Sequence, residues 1–512
     1  MTSSSQPPSH LFSGLIAAAR ENPGKPFLET PEGRILTYGE LMAGTGRLAH
    51  VLKSRRVEPG DRVVVQVQKS MEAIMLYLAI VRAGAILVPL NDAYTTAELG
   101  YFIGDAEPKL VVCDPEKQAG IAAIPSSSGV ACETLDRNGR GSLTRDMMLM
   151  SGSFDDAYRG PDDLAAILYT SGTTGRSKGA MLSHDNLLSN ALTLADIWKF
   201  SSKDVLLHAL PIFHTHGLFV ATNVAIAAGA SMIFLPKFDV EEIIRLLPRA
   251  TVLMGVPTFY TRLLAQPQLT AQLTSQIRVF ISGSAPLLAE THRAWQARTG
   301  HAILERYGMT ETNMNTSNPY DGARVPGTVG FPLPGVALRI VDPKTGHRVP
   351  VGETGMIQVK GPNVFKGYWR NPEKTRAEFS ADGFFITGDL GTIDEEGYVR
   401  IVGRGKDLII SGGFNVYPKE VETEIDALPG VIESAVVGLP HPDLGEAVTA
   451  MVVMQAGLEI DQAGVQSSLK QRLAGFKVPK RVVGIKELPR NTMGKVQKNV
   501  LRENYATLYQ NS

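Results

Sequence analysis

Short apolar runs alternate with longer stretches of helical period over most of this chain. DRVVVQV (61–67), AILVPL (85–90), PKLVVCD (108–114), AAILYT (165–170), VLLHAL (205–210), SMIFL (231–235), TVLMGV (251–256) and RVFISG (278–283) read as buried strands. Helical patterns lie between most of them, which predicts a layered α/β architecture with parallel strands. Beyond residue 330 the pattern changes. ALRIVD, GMIQVKG, GFFITGD and GYVRIVG are short strands punctuated by Gly, Pro and Asp, so a small β-rich subdomain is expected. GRGKD (403–407), charged and glycine-bearing, marks a boundary. After it, Pro418 stands in the first turn of a helix carrying Val421, Ile425 and Leu428, with Gly430 as its terminator. ESAVVGL and AVTAMVVM then read as strands and QSSLKQRLAG as a helix. The expected class is α/β: a large multi-subdomain N-terminal body, 1–405, with parallel-rich sheets, and a smaller α+β C-terminal domain, 406–512.

Composition narrows the function classes. A chain of 512 residues exceeds one compact core. Lys+Arg and Asp+Glu both number 51, and that balance argues against a nucleic-acid-binding or polybasic membrane-binding role. The most apolar stretches, Ile74–Leu90 and Val220–Leu235, are broken by Arg82 and by Asn223 and Ser231, and are short for a bilayer span. Cys113 and Cys132 form no CxxC and have no second pair, so neither a disulfide framework nor a zinc site is expected. MTSSSQPPSHLF has no basic and apolar leader pattern, and a cytoplasmic location is the expectation.

One loop carries unusual chemistry. YTSGTTGRSKGA (169–180) follows a strand-like run and precedes a helix with Leu187, Leu188, Ala191, Leu192 and Ala195 at helical spacing, which Ser183 can cap. Gly172, Gly175 and Gly179 let the backbone approach an anion; Ser171, Thr173, Thr174 and Lys178 supply hydroxyls and a cation. The Walker A pattern fails, because Arg176 and Ser177 separate Gly175 from Lys178 and no hydroxyl follows the lysine. A solvated flexible loop has the same composition, so a second site has to decide.

Four further segments supply it: YGMTET (307–312), TGDLG (387–391), GRGKDLIISGGFNVYPKEVE (403–422) and PRNTMGK (489–495). With the first loop, and in this order, they resemble the acyl-adenylate-forming superfamily of acyl-CoA synthetases, peptide-synthetase adenylation domains and beetle luciferases, over essentially the whole chain. The resemblance implies ATP and Mg²⁺ as cofactors, CoA as co-substrate and two half-reactions. A carboxylate is a poor electrophile; transfer of AMP makes it a mixed anhydride, which needs neutralised phosphates, fixed geometry and a metal.

The resemblance also implies roles. The loop, with Thr170, Ser171, Gly172, Thr173, Thr174, Gly175 and Lys178, would hold the β- and γ-phosphates. Ser282, Gly283, Ser284, Ala285 and Pro286 would lie along adenine, with Tyr307 and Gly308 beside it. Thr310 would meet the α-phosphate and Glu311 Mg²⁺, a hard oxygen ligand for a hard cation. Asp389 would accept the ribose hydroxyls and Arg404 contact ribose or phosphate. Lys495 would act on the α-phosphate and the acid, and Lys406 would be the hinge of a mobile C-terminal domain. Gly412, Gly413 and Phe414 would admit the pantetheine arm of CoA, and Lys477 could meet its phosphates. A lysine acyltransferase or deacylase acting on Lys495 is a further partner that the resemblance suggests.

The acid is read from the pocket. His214 in LPIFHTHGL (210–218) would close on the reacting carboxylate. His216, Arg262 and Arg306 add groups suited to a second carboxylate. Alternatively, Arg262 is an exposed helix residue and Arg306 an ion-pair partner of Glu305 or another acid. With the run ERYGMTETNMNTSNP, the chain most resembles malonyl-CoA synthetases, which implies malonate, with methylmalonate tolerated. Other short-chain, medium-chain or aryl acyl-CoA synthetases, and a free-standing enzyme loading a carrier protein, are the rival readings.

Overall fold

The structure is a computed structural model and describes residues 9–170, 177–411, 414–441, 444–491 and 494–509, with Asn415 described by its backbone. Ser171, Gly172, Thr173, Thr174 and Gly175 of the expected phosphate loop, and Gly412 and Gly413 of the expected CoA site, lie outside these residues.

All eight apolar runs are strands, and they divide between two sheets. Arg62–Gln66, Ile86–Pro89, Leu110–Cys113 and Leu164–Thr170 run parallel in a six-stranded sheet with Ala131–Thr134 and Lys178–Ser183 at its edges. Val205–His208, Ser231–Phe234, Val252–Gly255 and Val279–Ser282 run parallel in a nine-stranded sheet. Helix Met71–Arg82 is buried at every position, as a helix apolar on all sides should be. Its one cation, Arg82, pairs with Asp156 at 2.6 Å. This helix and the strand after it account for the stretch at 74–90, and no helix among the described residues is long and apolar enough to cross a membrane.

The later segments also match their pattern. Ala337–Val341, Gly355–Lys360, Phe385–Ile393 and Val399–Arg404 form an antiparallel four-stranded sheet. Ile409–Ser411, Phe414–Val416, Val431–His441, Gly445–Met454 and Arg481–Gly484 form a separate sheet, backed by helices Pro418–Asp426 and Gln462–Lys470. The expected α/β body with a smaller α+β unit is the observed architecture.

Two features differ from expectation. The strands Pro26–Glu29 and Ile35–Thr37 extend the nine-stranded sheet from a region where no strand was expected. The loop at 169–180 is not a strand-to-helix turn: Lys178–Ser183 is itself a strand, antiparallel to Leu164–Thr170, with Thr170 opposite Lys178. The strands on either side of the segment are thus antiparallel neighbours, and the helix His184–Ile197 starts only after the second of them. Ser183 caps that helix in a reciprocal capping box with Asn186.

Candidate active site

Neighbouring parallel strands of the nine-stranded sheet end on one side and deliver the expected groups together, as the carboxyl ends of strands do in open α/β sheets. Val205–His208 leads into the loop bearing His214 and His216. Val252–Gly255 leads into helix Pro257–Leu264, which bears Thr258 and Arg262. Val279–Ser282 leads into Gly283–Pro286, and Leu304–Met309 carries Arg306, Tyr307 and Gly308. Gly308 tolerates no side chain, since a Cβ there would lie 1.8 Å from the carbonyl oxygen of Asn313. Thr310 and Glu311 occupy the turn that follows.

The expected nucleotide residues converge. Tyr307 donates its hydroxyl to Asp389 Oδ2, while Arg404 Nε lies 2.7 Å from Asp389 Oδ1, its cross-strand neighbour. A carboxylate has about four lone-pair sites, so both oxygens can still accept a hydroxyl. Asp389 raises the pKa of Arg404, whereas burial raises that of Glu311. Tyr368 donates its hydroxyl toward Glu311 Oε1 at 3.0 Å, and the same hydroxyl meets Glu378 Oε2 at 2.5 Å. Thr170 Oγ1 lies 3.5 Å from Glu311, and Lys178 Nζ 3.9 Å from Glu378. Lys178 also stands 5.2 Å from the centroid of the Tyr368 ring. Tyr368 and Glu378 thus tie the expected metal carboxylate to the phosphate-loop lysine. Sequence reasoning missed both, because GYW and AEF carry no charge pattern or spacing that points to Glu311.

The cluster expected to meet the acid holds a buried cation with unpartnered donors. Arg306 is 2 % exposed, and its Nε and Nη2 have no hydrogen-bond partner. Burial lowers its pKa to about 9, which leaves it charged at neutral pH. Gly283 makes room for it: a Cβ there would lie 2.4 Å from the guanidinium carbon. Glu305 is not its partner. Neighbours on a strand point to opposite faces, and Glu305 instead accepts from the Leu287 amide at 3.1 Å, with burial raising its pKa to about 8.

His214 is held to about 3 by burial and by Lys495, and burial beside Arg306 pushes His216 well below its ordinary value, so both rings are neutral. Nε2 of each is buried without a partner, while His216 Nδ1 meets Ser284 Oγ at 3.1 Å. Ser284 holds this place with φ +72°, in the left-handed region that costs a residue with a side chain about 1–3 kcal/mol. Lys495 keeps accessible surface but is ringed by protein; burial and the nearby Arg404 lower its pKa. Next to it, a Cβ on Gly494 would touch Thr258 Oγ1 at 3.4 Å.

Four expected residues stand apart from this cluster. Arg262 is exposed, its guanidinium 5.9 Å from the Phe238 ring and one helical turn beyond Thr258. Lys406 lies in the short turn Gly405–Asp407 between the two last sheets, where burial lowers its pKa. Its neighbour Asp407 pairs with Arg502 at 2.6 Å. Phe414 is exposed and stacks on Phe476 at 4.7 Å; Lys477 pairs with Glu420 at 2.5 Å.

Comparison with known proteins decides the family. The model of the AMP-binding enzymes matches residues 15–369, and that of their C-terminal domain matches 420–495. The chain belongs to the AMP-binding enzymes. ATP-bound MatB from Rhodopseudomonas palustris is 64% identical, with a TM-score of 0.96, covering 98% of this chain and 100% of that one. The apo structure of the same protein has equal identity and coverage but a TM-score of 0.86, so the arrangement here is nearer to the ATP-bound one. A malonate–CoA ligase of Arabidopsis thaliana is 33% identical, covering 92% of this chain and 85% of its own. A feruloyl-CoA synthase of an Amycolatopsis species is 36% identical over 92% of this chain and 94% of its own. At this distance AMP-binding relatives differ in acid, and overall identity alone does not choose one.

Proposed function

We propose that malonate is the acid which this AMP-forming acid–CoA ligase activates, with methylmalonate as a poorer substrate. The observation that carries the reading is Arg306: a buried, charged guanidinium with two unpartnered donors, beside two neutral histidines with unpartnered nitrogens. An uncompensated buried cation is costly unless an anion completes it. A monocarboxylate spends its one charge at the reacting end. A short dicarboxylate reaches both. The 64% identity to MatB and the malonate–CoA ligase among the relatives support the same acid.

The chemistry follows from the side chains. One malonate carboxylate, near His214 and Lys495, attacks the α-phosphorus of ATP in line, and pyrophosphate leaves. Lys495 and Thr310 offset charge on the transferring phosphoryl group, while Lys178 steadies the departing phosphates. Asp389, Arg404 and Tyr307 fix the nucleoside. Glu311, a buried oxygen ligand held by Tyr368, would hold Mg²⁺, which would supply positive charge to offset that of the phosphates. Arg306 holds the distal carboxylate, and Arg262, exposed beside Phe238, takes no part. The CoA thiolate then displaces AMP. We place the hinge between the units 1–405 and 406–512 at Lys406, and Phe414 and Lys477 on the CoA path.

The test is AMP release dependent on ATP and CoA, over malonate, methylmalonate, succinate, acetate and benzoate. Malonate should lead and methylmalonate follow, since one methyl discriminates by about 1–3 kcal/mol. Equal rates with acetate and malonate would overturn the assignment.

A further inference from the structure

Lys69 is a second buried cation, and nothing in the reaction as described uses it. It lies between strand Arg62–Gln66 and helix Met71–Arg82, just before Ser70, the N-cap. A positive charge there opposes the helix dipole. Its stem keeps some accessible surface, but its ammonium is deep in protein, 4.2 Å from the Phe234 ring centroid, and among the described residues no carboxylate pairs with it. A lysine in so unfavourable a place is retained only if its hydrogen bonds are complete, and they are.

Nζ donates to three acceptors at 2.9 Å: Nδ1 of His208, the carbonyl of His208 and the carbonyl of Leu210. These are the last residue of strand Val205–His208 and the first turn of the loop beyond it. Because Nδ1 accepts from the ammonium, the neutral His208 ring carries its proton on Nε2. That proton goes to the carbonyl of Gly217 at 2.9 Å, which also accepts from Thr222 Oγ1 at 2.9 Å. Gly217 closes tightly on the start of the loop, since a Cβ there would lie 2.0 Å from the Pro211 carbonyl oxygen. Both ends of 210–217 are therefore fixed by one chain of hydrogen bonds that starts on the other sheet. His214 and His216 stand between those ends.

We propose that Lys69 is a positioning residue for acid activation: through His208 it pins the loop that starts at Leu210 to the first turn of the π-helix His216–Thr222 and so sets where His214 and His216 face the substrate. The inference rests on the reading that these two histidines meet the acid.

The test uses the full-length enzyme and acid-dependent pyrophosphate exchange. Lys69→Met keeps the stem and removes the donors; kcat/KM for malonate should fall by on the order of 10²-fold, the cost of a small misplacement at a reacting centre, with KM for ATP unchanged. His208→Gln can still accept from Lys69 and donate to Gly217, and should keep most of the activity, whereas His208→Leu should resemble Lys69→Met. Nitrogen-15 shifts of the wild-type histidines should show His208 as the Nε2–H tautomer, and Lys69→Met should release it. A lowered melting temperature with malonate kinetics unchanged would overturn the proposal, as would equal impairment of His208→Gln and His208→Leu. If Lys69→Met does not fold, the His208 pair decides. Should the wild type prefer another acid, the malonate reading fails, while the same variants still test positioning on the acid that it uses.

Discussion

Replacing Arg306 by Met separates what the guanidinium does for the substrate from what it costs the fold. Two of its donors, Nε and Nη2, are buried without partners. Hydrogen bonds to charged groups contribute about 1.5–3 kcal/mol each, so a malonate carboxylate held by both gains about 3–6 kcal/mol, or roughly 10²–10⁴ in kcat/KM. Acetate has no distal carboxylate and should lose nothing. Stability should move the other way. The folded protein holds Arg306 at about 9, well below its ordinary value. For a base with a lowered folded pKa the cost grows as pH falls from the unfolded value to the folded one, and is complete at pH 7. At about 1.4 kcal/mol per pH unit it is on the order of 5 kcal/mol. Arg306→Met should therefore melt higher than the wild type while losing malonate, read by thermal unfolding and by pyrophosphate exchange on malonate and acetate. An unchanged malonate-to-acetate ratio would refute the reasoning, as would parallel loss of both acids.

Gly283→Ala should weaken malonate activation by at least tenfold, roughly one lost hydrogen bond to a charged group, because its Cβ would press on the Arg306 guanidinium at 2.4 Å; an unchanged KM for malonate would count against this. Lys495→Ala should lower acyl-AMP formation by about 10²–10³-fold, as removal of a charge-stabilising donor does, yet leave thioester formation from supplied malonyl-AMP largely intact; equal loss in the two assays would remove its role. Lys406→Pro should retain one half-reaction and lose the other, measured by pyrophosphate exchange and by thiolation of supplied malonyl-AMP. Glu305→Gln keeps the acceptor for the Leu287 amide and removes the ionisation. With the folded pKa raised to about 8, the wild-type carboxyl contributes its stability fully below its unfolded value and loses it as pH rises through about 8. The variant should match the wild type near pH 4 and exceed it by up to about 5 kcal/mol above pH 8; a difference independent of pH in denaturant unfolding would exclude this.

Much of the fold was legible because strands buried on both faces spell continuous apolar runs, and all eight such runs are strands. Pro26–Glu29 and Ile35–Thr37 were not legible: they are short, and Ile35 is exposed at the sheet edge. The strand Lys178–Ser183 was missed because KGAMLS has too few apolar residues to announce a strand. At the site, the motif residues Tyr307, Asp389 and Arg404 do meet. The rival pairing of Arg306 with Glu305 could have been rejected from alternation alone, since LERYGM is a strand. Lys69 and His208 could not have been paired, because the hydrogen bond joins residues 139 apart in sequence and on different sheets.

The strand Leu304–Met309 shows why charge in this site had to be read in three dimensions. Its residues 305 and 306 are an acid and a base in sequence, which as a pair would cancel. On opposite faces they do the reverse. Glu305 meets the core, where burial favours its neutral form, and so supplies no full negative charge below about pH 8. Arg306 meets the cleft and stays charged, because even its lowered pKa is about 9. Burial lowers the pKa of Lys69 behind the same segment, while His208, His214 and His216 are kept neutral by burial and by the cations next to each, Lys69, Lys495 and Arg306 in turn. The neutral rings can donate through nitrogens that carry no charge, so they orient an anion without adding to the repulsion among the cations. On the proposed reading, the negative charge that these groups lack comes from the second carboxylate of the substrate. A substrate with one carboxylate leaves Arg306 uncompensated; one with two, separated by a single carbon, does not.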